Sequence, residues 1–283
     1  MFEDRQKSLK NNQQQFQIKT ISARQKTAIK TSRFFIKVFG NLLKASCYPL
    51  YYLFPRLRLS LPSISEPLWR KSIKFQIPAY IWQTNFTGRV TLPVFLNYLF
   101  NRLMAPGFAY RFMVTEDREA FIKANFDHTI YETYKKIQIG AAQADFWRLL
   151  VLYKYGGVYM DIDAHLVWPL HKILANANSE LYLKIKTGEI SNYFIASAPE
   201  NQNLLDLINR ICQNVSYSTS TNVYDLTGPG VFNDVFKGRD VPTRYYLYTC
   251  NQGNFTNEYF QYMDKPQGKW TKEQQKIDVI RRD

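Results

Sequence analysis

With 283 residues and 46% hydrophobic side chains, the chain is long enough to bury one sizeable core and to carry an appendage. Its three cysteines, Cys47, Cys212 and Cys250, form no C-x-x-C pair, which argues against a disulfide framework or a zinc knuckle and for a reducing compartment. The net charge of +14 is uneven: residues 1–75 hold 15 Lys and Arg against Glu3, Asp4 and Glu66, whereas the other 208 hold 22 basic and 20 acidic side chains, too near neutrality for a nucleic-acid groove.

Residues 1–73 therefore read as a basic extension and 74–283 as the principal domain. Met1 to Lys30 is rich in Gln, Lys and Asn and reads as solvated or loosely helical. A helix is expected from Thr31 onward. On a helical wheel Arg33, Lys37, Asn41 and Lys44 fall within an arc of roughly 80°, and Phe34, Phe35, Ile36, Phe39, Leu42 and Leu43 take the remainder. A basic stripe on an aromatic-rich helix suits an anionic membrane surface, so residues 31–58 are expected to lie in the plane of one. A single span over 34–54 would have to tolerate Pro49 and bury Lys37 and Lys44, at about 2.5 to 3.5 kcal/mol for a centrally placed lysine. Docking on protein is the third option for this helix. Charged, glutamine-rich sequence precedes any apolar core, so no cleavable signal peptide is expected.

Beyond the extension, strand and helix alternate. Phe75 to Thr84 reads as a first strand, Leu92 to Met104 as a helix, Tyr110 to Val114 as a strand and Asp117 to Asn125 as a helix. An apolar helix containing Asp145 and Arg148 follows, stopped by Gly156-Gly157, and Val158 to Met160 then favours strand. Glu180 to Lys186 and Tyr193 to Ala196 read as strands, Leu204 to Val215 as helix, and Arg244 to Thr249 as strand. Such alternation predicts an α/β fold with an open, mostly parallel sheet flanked by helices, and ligands at the carboxyl ends of its strands.

The chemistry is concentrated in residues 141–163, where Asp145 and Arg148 precede Tyr-Gly-Gly-Val-Tyr and the strand ends in Asp161-Ile162-Asp163. Two carboxylates at a strand end can turn toward one cleft, and hard oxygen donors suit Mg²⁺ or Mn²⁺, which takes its remaining ligands from water and phosphate. Each feature has a plainer explanation. Asp145 and Arg148 could form a helix ion pair, although burying it among Phe146, Trp147, Leu149 and Leu150 is expensive. Asp161 and Asp163 could cap a turn. His128, His165 and His171 have no metal-ligand spacing to one another and read as surface or packing residues.

The string D-x-x-R, five apolar or aromatic positions, Y-G-G-x-Y and D-x-D resembles glycosyltransferase family 32, which includes bacterial capsule and lipopolysaccharide enzymes and yeast mannosyltransferases; clostridial glucosylating toxins share its core. Gln76-Ile-Pro-Ala-Tyr-Ile-Trp-Gln-Thr-Asn85 is similar to the first strand of those enzymes, and Thr227-Gly-Pro-Gly230 to a later loop. The resemblance implies a GT-A-like fold, a nucleotide-sugar donor and retention at the anomeric carbon. It assigns direct metal ligation to Asp163, contact with metal-bound water, ribose or sugar to Asp161, and donor-sugar hydroxyls to Asp145 and Arg148. Donor contacts are implied for Ile81, Trp82, Gly228 and Gly230; Trp82 reads equally as core packing, and Gly228-Pro-Gly230 as a simple turn. Many members place a histidine before a Ser-Trp near the C-terminus. Here the matching stretch, Gln261 to Trp270, has none, which leaves Asp264, Gln261, or diphosphate and water to complete the metal shell.

The function these readings imply is metal-dependent transfer of a hexose from a UDP-sugar, or alternatively a GDP-sugar, with Mn²⁺ or Mg²⁺. The expected acceptor is a glycan, lipid-linked, in capsule or lipopolysaccharide synthesis at the cytoplasmic face of a bacterial inner membrane. A Golgi-type single-span transferase, which would use the sequons at Asn85, Asn214 and Asn254, an effector that glycosylates proteins, and a non-catalytic membrane-binding relict are the alternatives.

Overall fold

A computed structural model describes residues 21–69 and 76–281. The expected boundary at residues 73 and 74, the start of the first strand at Phe75, and residues 1–20 of the extension lie outside them.

Helix α1 (Ala23–Leu53) is capped by Ser22, whose hydroxyl accepts from the Gln25 amide at 3.2 Å. Short strands β1 (Leu59–Ser60) and β2 (Ile64–Ser65) follow, then β3 (Tyr80–Thr84), β4 (Arg89–Val90), α2 (Leu92–Met104), β5 (Ala109–Met113), α3 (Thr115–Asn125) and α4 (His128–Lys136). The central motif forms α5 (Gly140–Tyr155), β6 (Gly157–Met160) and β7 (Ala164–Leu166). Next come α6 (Leu170–Ile173), β8 (Glu180–Lys184), β9 (Ile190–Ser197), α7 (Gln202–Tyr217), α8 (Val223–Leu226), α9 (Pro229–Val235), β10 (Thr243–Tyr245), β11 (Cys250–Gln252), α10 (Glu258–Tyr262) and α11 (Trp270–Glu273).

Seven strands form the main sheet in the order β10-β8-β9-β6-β3-β5-β2. The pairs β10–β8, β6–β3 and β3–β5 are parallel, while β9 runs against β8 and β6, and β2 against β5. Five strands therefore point one way and two the other. This is the expected α/β layering, a mostly parallel sheet flanked by helices.

Strand alternation sorts the core into two layers. Val158, Met160, Phe194, Ala196 and Ile81 face one side, with α2 and α6; Tyr159, Ile195 and Trp82 face the other, with α5 and α7. Helix α5 is buried continuously from Ala144 to Leu152, so its dense apolar run marks a helix enclosed by protein. Gly156 and Gly157 end it with φ of 63° and 108°. A Cβ on Gly156 would lie 2.7 Å from Pro78 Cδ, and one on Gly157 would lie 2.9 Å from Tyr80 O, so only glycine lets α5 reverse directly into the middle of the sheet.

Three local expectations are corrected. Helix α4 was not anticipated; it is short and fixed by Asp127, whose carboxylate accepts from the Ile130 amide. The strand expected over Arg244 to Thr249 ends at Tyr245, because Tyr246–Tyr248 coil into a 3₁₀ turn closed by the Thr249 amide on Tyr246 O. In α1, the supposed basic stripe is split: Lys37 and Asn41 are exposed, whereas Arg33 and Lys44 turn toward the body of the protein.

Helix α1 is docked along its length. Cys47 and Tyr51 form a small core with Phe260, and the Leu92 amide donates to the Tyr51 hydroxyl at 2.7 Å. Lys44 Nζ donates to Gly253 O at 3.0 Å, and Gly40 gives the close approach to the Asn254 carbonyl. No helix among the described residues is long and apolar enough to cross a membrane.

Candidate active site

The carboxyl ends of β3, β5 and β6 and the amino end of the antiparallel β9 meet at one edge of the sheet. A cleft of about 430 Å³ opens there. Its floor is one face of the first half of α5, contributed by Gly140, Ala141, Ala144, Asp145 and Arg148 at helical spacing.

Arg148 is the hub. Its Nη2 pairs with Asp145 Oδ1 at 2.7 Å, its Nη1 donates to Asn192 O at 2.7 Å and stands 3.3 Å from Asp161 Oδ1, and its guanidinium lies over the Tyr159 ring at 4.3 Å from the centroid. Asp145 also accepts from Asn192 Nδ2 at 2.9 Å and from the Thr227 hydroxyl at 3.2 Å. Burial outweighs Arg148 and holds the Asp145 carboxyl up at about 7. Helix α5, β9 and the loop before α9 are thus tied together by one buried charge pair.

The D-x-D turn is held from behind. Gln83 Nε2 donates to Asp161 O, and Asn97 Nδ2 to Ile162 O and Ala164 O, each at 2.9 Å. Ile162 is buried, which leaves the two aspartates turned to the cleft. The Tyr159 hydroxyl donates to Asp161 Oδ1 at 2.7 Å. Strand β11 pairs antiparallel with β7, opposing Gln252 to Ala164, and places the Gln252 amide nitrogen 3.0 Å from Asp161 Oδ2 and 3.1 Å from Asp163 Oδ1. Burial and the neighbouring Asp161 push the Asp163 carboxyl up to about 7.

Both carboxylates converge on that single nitrogen, so the turn has the hard-oxygen donors and the focus that a divalent cation requires. No group of three or more His, Cys, Asp or Glu that could hold a metal stands together among the described residues. Asp264 does not supply the further ligand, because Arg58 holds it through two bonds of 2.5 and 2.7 Å. Gln261 does line the cleft, with Lys265, Lys269 and Trp270.

The structure brings Asp145, Arg148, Asp161, Asp163 and Gly228 to one cleft and leaves three expected donor contacts outside it. Ile81 is buried on the far side of the sheet. Trp82 packs in the core, its indole N–H donating to Gly156 O at 2.8 Å, because it stands two residues short of the strand end. Thr84, Asn85 and Phe86 reach the cleft instead. Gly230 is packed beneath Tyr224, where a Cβ would meet Tyr224 O at 2.8 Å. Reasoning from sequence missed Asn192, Gln252 and Arg118, a buried arginine at the cleft that donates to Thr115 Oγ1. Asn192 had a weak signal, an amide beside Ser191 at the start of a strand whose middle is apolar; Gln252 had none, since only the β7–β11 pairing places it.

Residues 93–180 match the family described as "Glycosyltransferase sugar-binding region containing DXD motif". That match covers about a third of the chain and includes the D-x-x-R helix and the D-x-D turn. The chain is similar to the initiation-specific alpha-1,6-mannosyltransferase of Schizosaccharomyces pombe, with 26% identity over 188 residues, 56% of this chain and 47% of that protein. Similarity extends to the uncharacterized glycosyltransferase L373 of Acanthamoeba polyphaga mimivirus, at 29% over 163 residues, 53% of this chain and 64% of that one. The putative glycosyltransferase HOC1 of Saccharomyces cerevisiae is 25% identical over 195 residues, 57% and 48% of the two chains. The chain therefore spans less than two thirds of the length of each of these relatives.

Proposed function

We propose that this protein is a DXD glycosyltransferase that moves a hexose from a nucleotide-diphosphate sugar to a hydroxyl of a glycan acceptor, with retention at the anomeric carbon. The observation that carries this reading is the Arg148 hub: one guanidinium joins Asp145 to Asp161 beside the point where Asp161 and Asp163 converge. A sugar seated on Asp145 and Arg148 would have its phosphates at the aspartate pair.

Asp163 and Asp161 are the residues that would hold Mn²⁺ or Mg²⁺, and the cation would supply charge neutralisation of the diphosphate leaving group. Lys265 and Lys269 line the same cleft and add positive charge there. Arg148 orients donor hydroxyls through a planar fork that Asp145 and Asn192 lock in place. Phe86 and Trp270 offer apolar area for the base. The acceptor we infer is a lipid-linked glycan of capsule or lipopolysaccharide type, at the cytoplasmic face of a bacterial membrane.

Donor hydrolysis screened across UDP- and GDP-sugars, with and without Mn²⁺ or Mg²⁺, tests this reading. Cation-dependent release of nucleotide diphosphate from one donor is expected. Nucleotide binding with no hydrolysis and no transfer for any donor would overturn it in favour of a relict.

A further inference from the structure

We propose that the outward face of α1 binds the surface of an anionic lipid bilayer, with the helix axis in the membrane plane. The helix has two apolar sides. Ile29, Ile36, Gly40, Cys47 and Tyr51 fall within roughly 60° on the helical wheel and are buried against the body of the protein. Opposite them stand Phe34, Phe35, Leu42 and Tyr52, which are 64%, 64%, 64% and 86% exposed, with Val38 and Leu53 between them. A stripe of this length and composition is not what a soluble monomer leaves in water.

Charge identifies the occupant. Residues 21–65 contain eight Lys or Arg and no Asp or Glu; Arg33 and Lys44 turn toward the body and Arg58 pairs with Asp264, while the others leave the segment basic without any acidic side chain. Lys30 and Lys37 are exposed along one border of the stripe. A second copy of the chain packed on this face would set those cations against each other. A spanning orientation is no better, since α1 is not apolar enough to cross and its inner side is already taken by protein. An in-plane seat buries the aromatic and aliphatic side chains among acyl chains and leaves the lysines at anionic headgroups. The docked inner side then fixes the body of the protein relative to the membrane through Leu92, Gly253, Asn254 and Phe260.

Sedimentation of the full chain with phosphatidylcholine vesicles, with and without phosphatidylglycerol, tests the assignment. Binding is expected only to vesicles containing phosphatidylglycerol and should weaken as salt rises. Phe35→Asp with Leu42→Asp, and separately Lys30→Glu with Lys37→Glu, should each lower partitioning by at least about tenfold. Thermal melting should not change in either variant, because all four side chains are exposed. Equal binding to neutral vesicles, undiminished binding by the Phe35 and Leu42 variant, or a wild-type dimer that this variant dissociates would each overturn the proposal. Vesicle binding is read without donor or cation, so its failure leaves the transferase reading standing.

Discussion

Gln252 and Asp163 are 89 residues apart in the chain, yet the Gln252 amide nitrogen lies 3.1 Å from Asp163 Oδ1 while also reaching Asp161. The pairing of β11 with β7 makes this possible, and the Tyr193 hydroxyl, donating to Cys250 O at 3.0 Å, tethers β11 to the main sheet. A neutral carboxamide thus stands at the focus of two carboxylates. The Gln252 side chain carries an oxygen on the same terminal carbon, so a half-turn of the amide changes it from a donor to the aspartates into a donor of electrons to a cation.

This arrangement predicts different losses at the two positions. Asp163→Ala removes a carboxylate at the cleft and should abolish cation binding without unfolding the protein. Gln252→Leu should weaken Mn²⁺ binding in the presence of nucleotide diphosphate by about 10- to 100-fold, the range for a supporting residue of a metal site. Isothermal titration measures both. Tighter binding by Gln252→Leu would mean that the amide only competes with the ion.

Arg148→Lys tests the hub. Lysine retains the charge next to Asp145 but cannot at once reach Asp145, Asn192 O and Asp161 as the guanidinium does. The expected result is a fall in kcat/KM of at least about 100-fold, a barrier change of about 2.7 kcal/mol, with Mn²⁺ and nucleotide diphosphate affinity retained. Near-normal kinetics would reduce the pair to a structural tie between α5 and β9.

His165 makes an acid-stability prediction. It is buried between Phe100 and Phe255, and burial first, then Arg33 and Lys44, lower its pKa from 6.5 to about 3. Protonation therefore favours the unfolded chain: the stability from neutral His165 is complete above 6.5 and is lost as pH falls from 6.5 toward 3. The slope for one proton is about 1.4 kcal/mol per pH unit. Asp145 and Asp163, raised to about 7, act in the opposite sense and lose stability as pH rises from about 4 to about 7. Denaturant unfolding of His165→Gln between pH 4 and 6.5 should remove the first slope and leave the second, so that the variant loses stability with rising pH more steeply than the wild type. Parallel curves for the two proteins would show that His165 titrates normally.

Features set by local spacing were legible in the sequence. The apolar run around Asp145 and Arg148, the Gly156-Gly157 stop and the D-x-D turn depend on neighbours within a few residues, and the order of strands and helices followed from hydrophobic period. What the sequence did not reveal arises from long-range pairing. The strand end at Thr84 was legible, but that Trp82 packs in the core depends on α5 turning back at Gly156, whose carbonyl accepts from the indole, and no local pattern shows that. Gln252 gains its place from a three-residue strand, too short to announce itself by alternation. Helix α1 misled for another reason: a helix that is apolar on both sides has a weak amphipathic signal, and its wheel could not tell the docked side from the free one.

The docking of α1 yields the final prediction. A Cβ on Gly40 would lie 2.4 Å from the Asn254 carbonyl oxygen and 2.8 Å from its carbon, and these are backbone atoms that cannot move aside as a flexible side chain would. Gly40→Leu should therefore push the helix from the 253–260 segment, at a cost of about 1 to 3 kcal/mol for overpacking. Because Lys44 holds Gly253, and Gly253 follows the residue that joins Asp161 to Asp163, the damage should reach the cleft. Leu42→Ala, two residues away on the free face, is the control and should leave melting and Mn²⁺ binding unchanged. The decisive measurement is Mn²⁺ affinity in Gly40→Leu at a temperature where the variant is still folded. A clear loss would establish that the basic helix braces the metal-binding turn as well as the core formed with Phe260; unchanged affinity with a lowered melting temperature would confine α1 to packing.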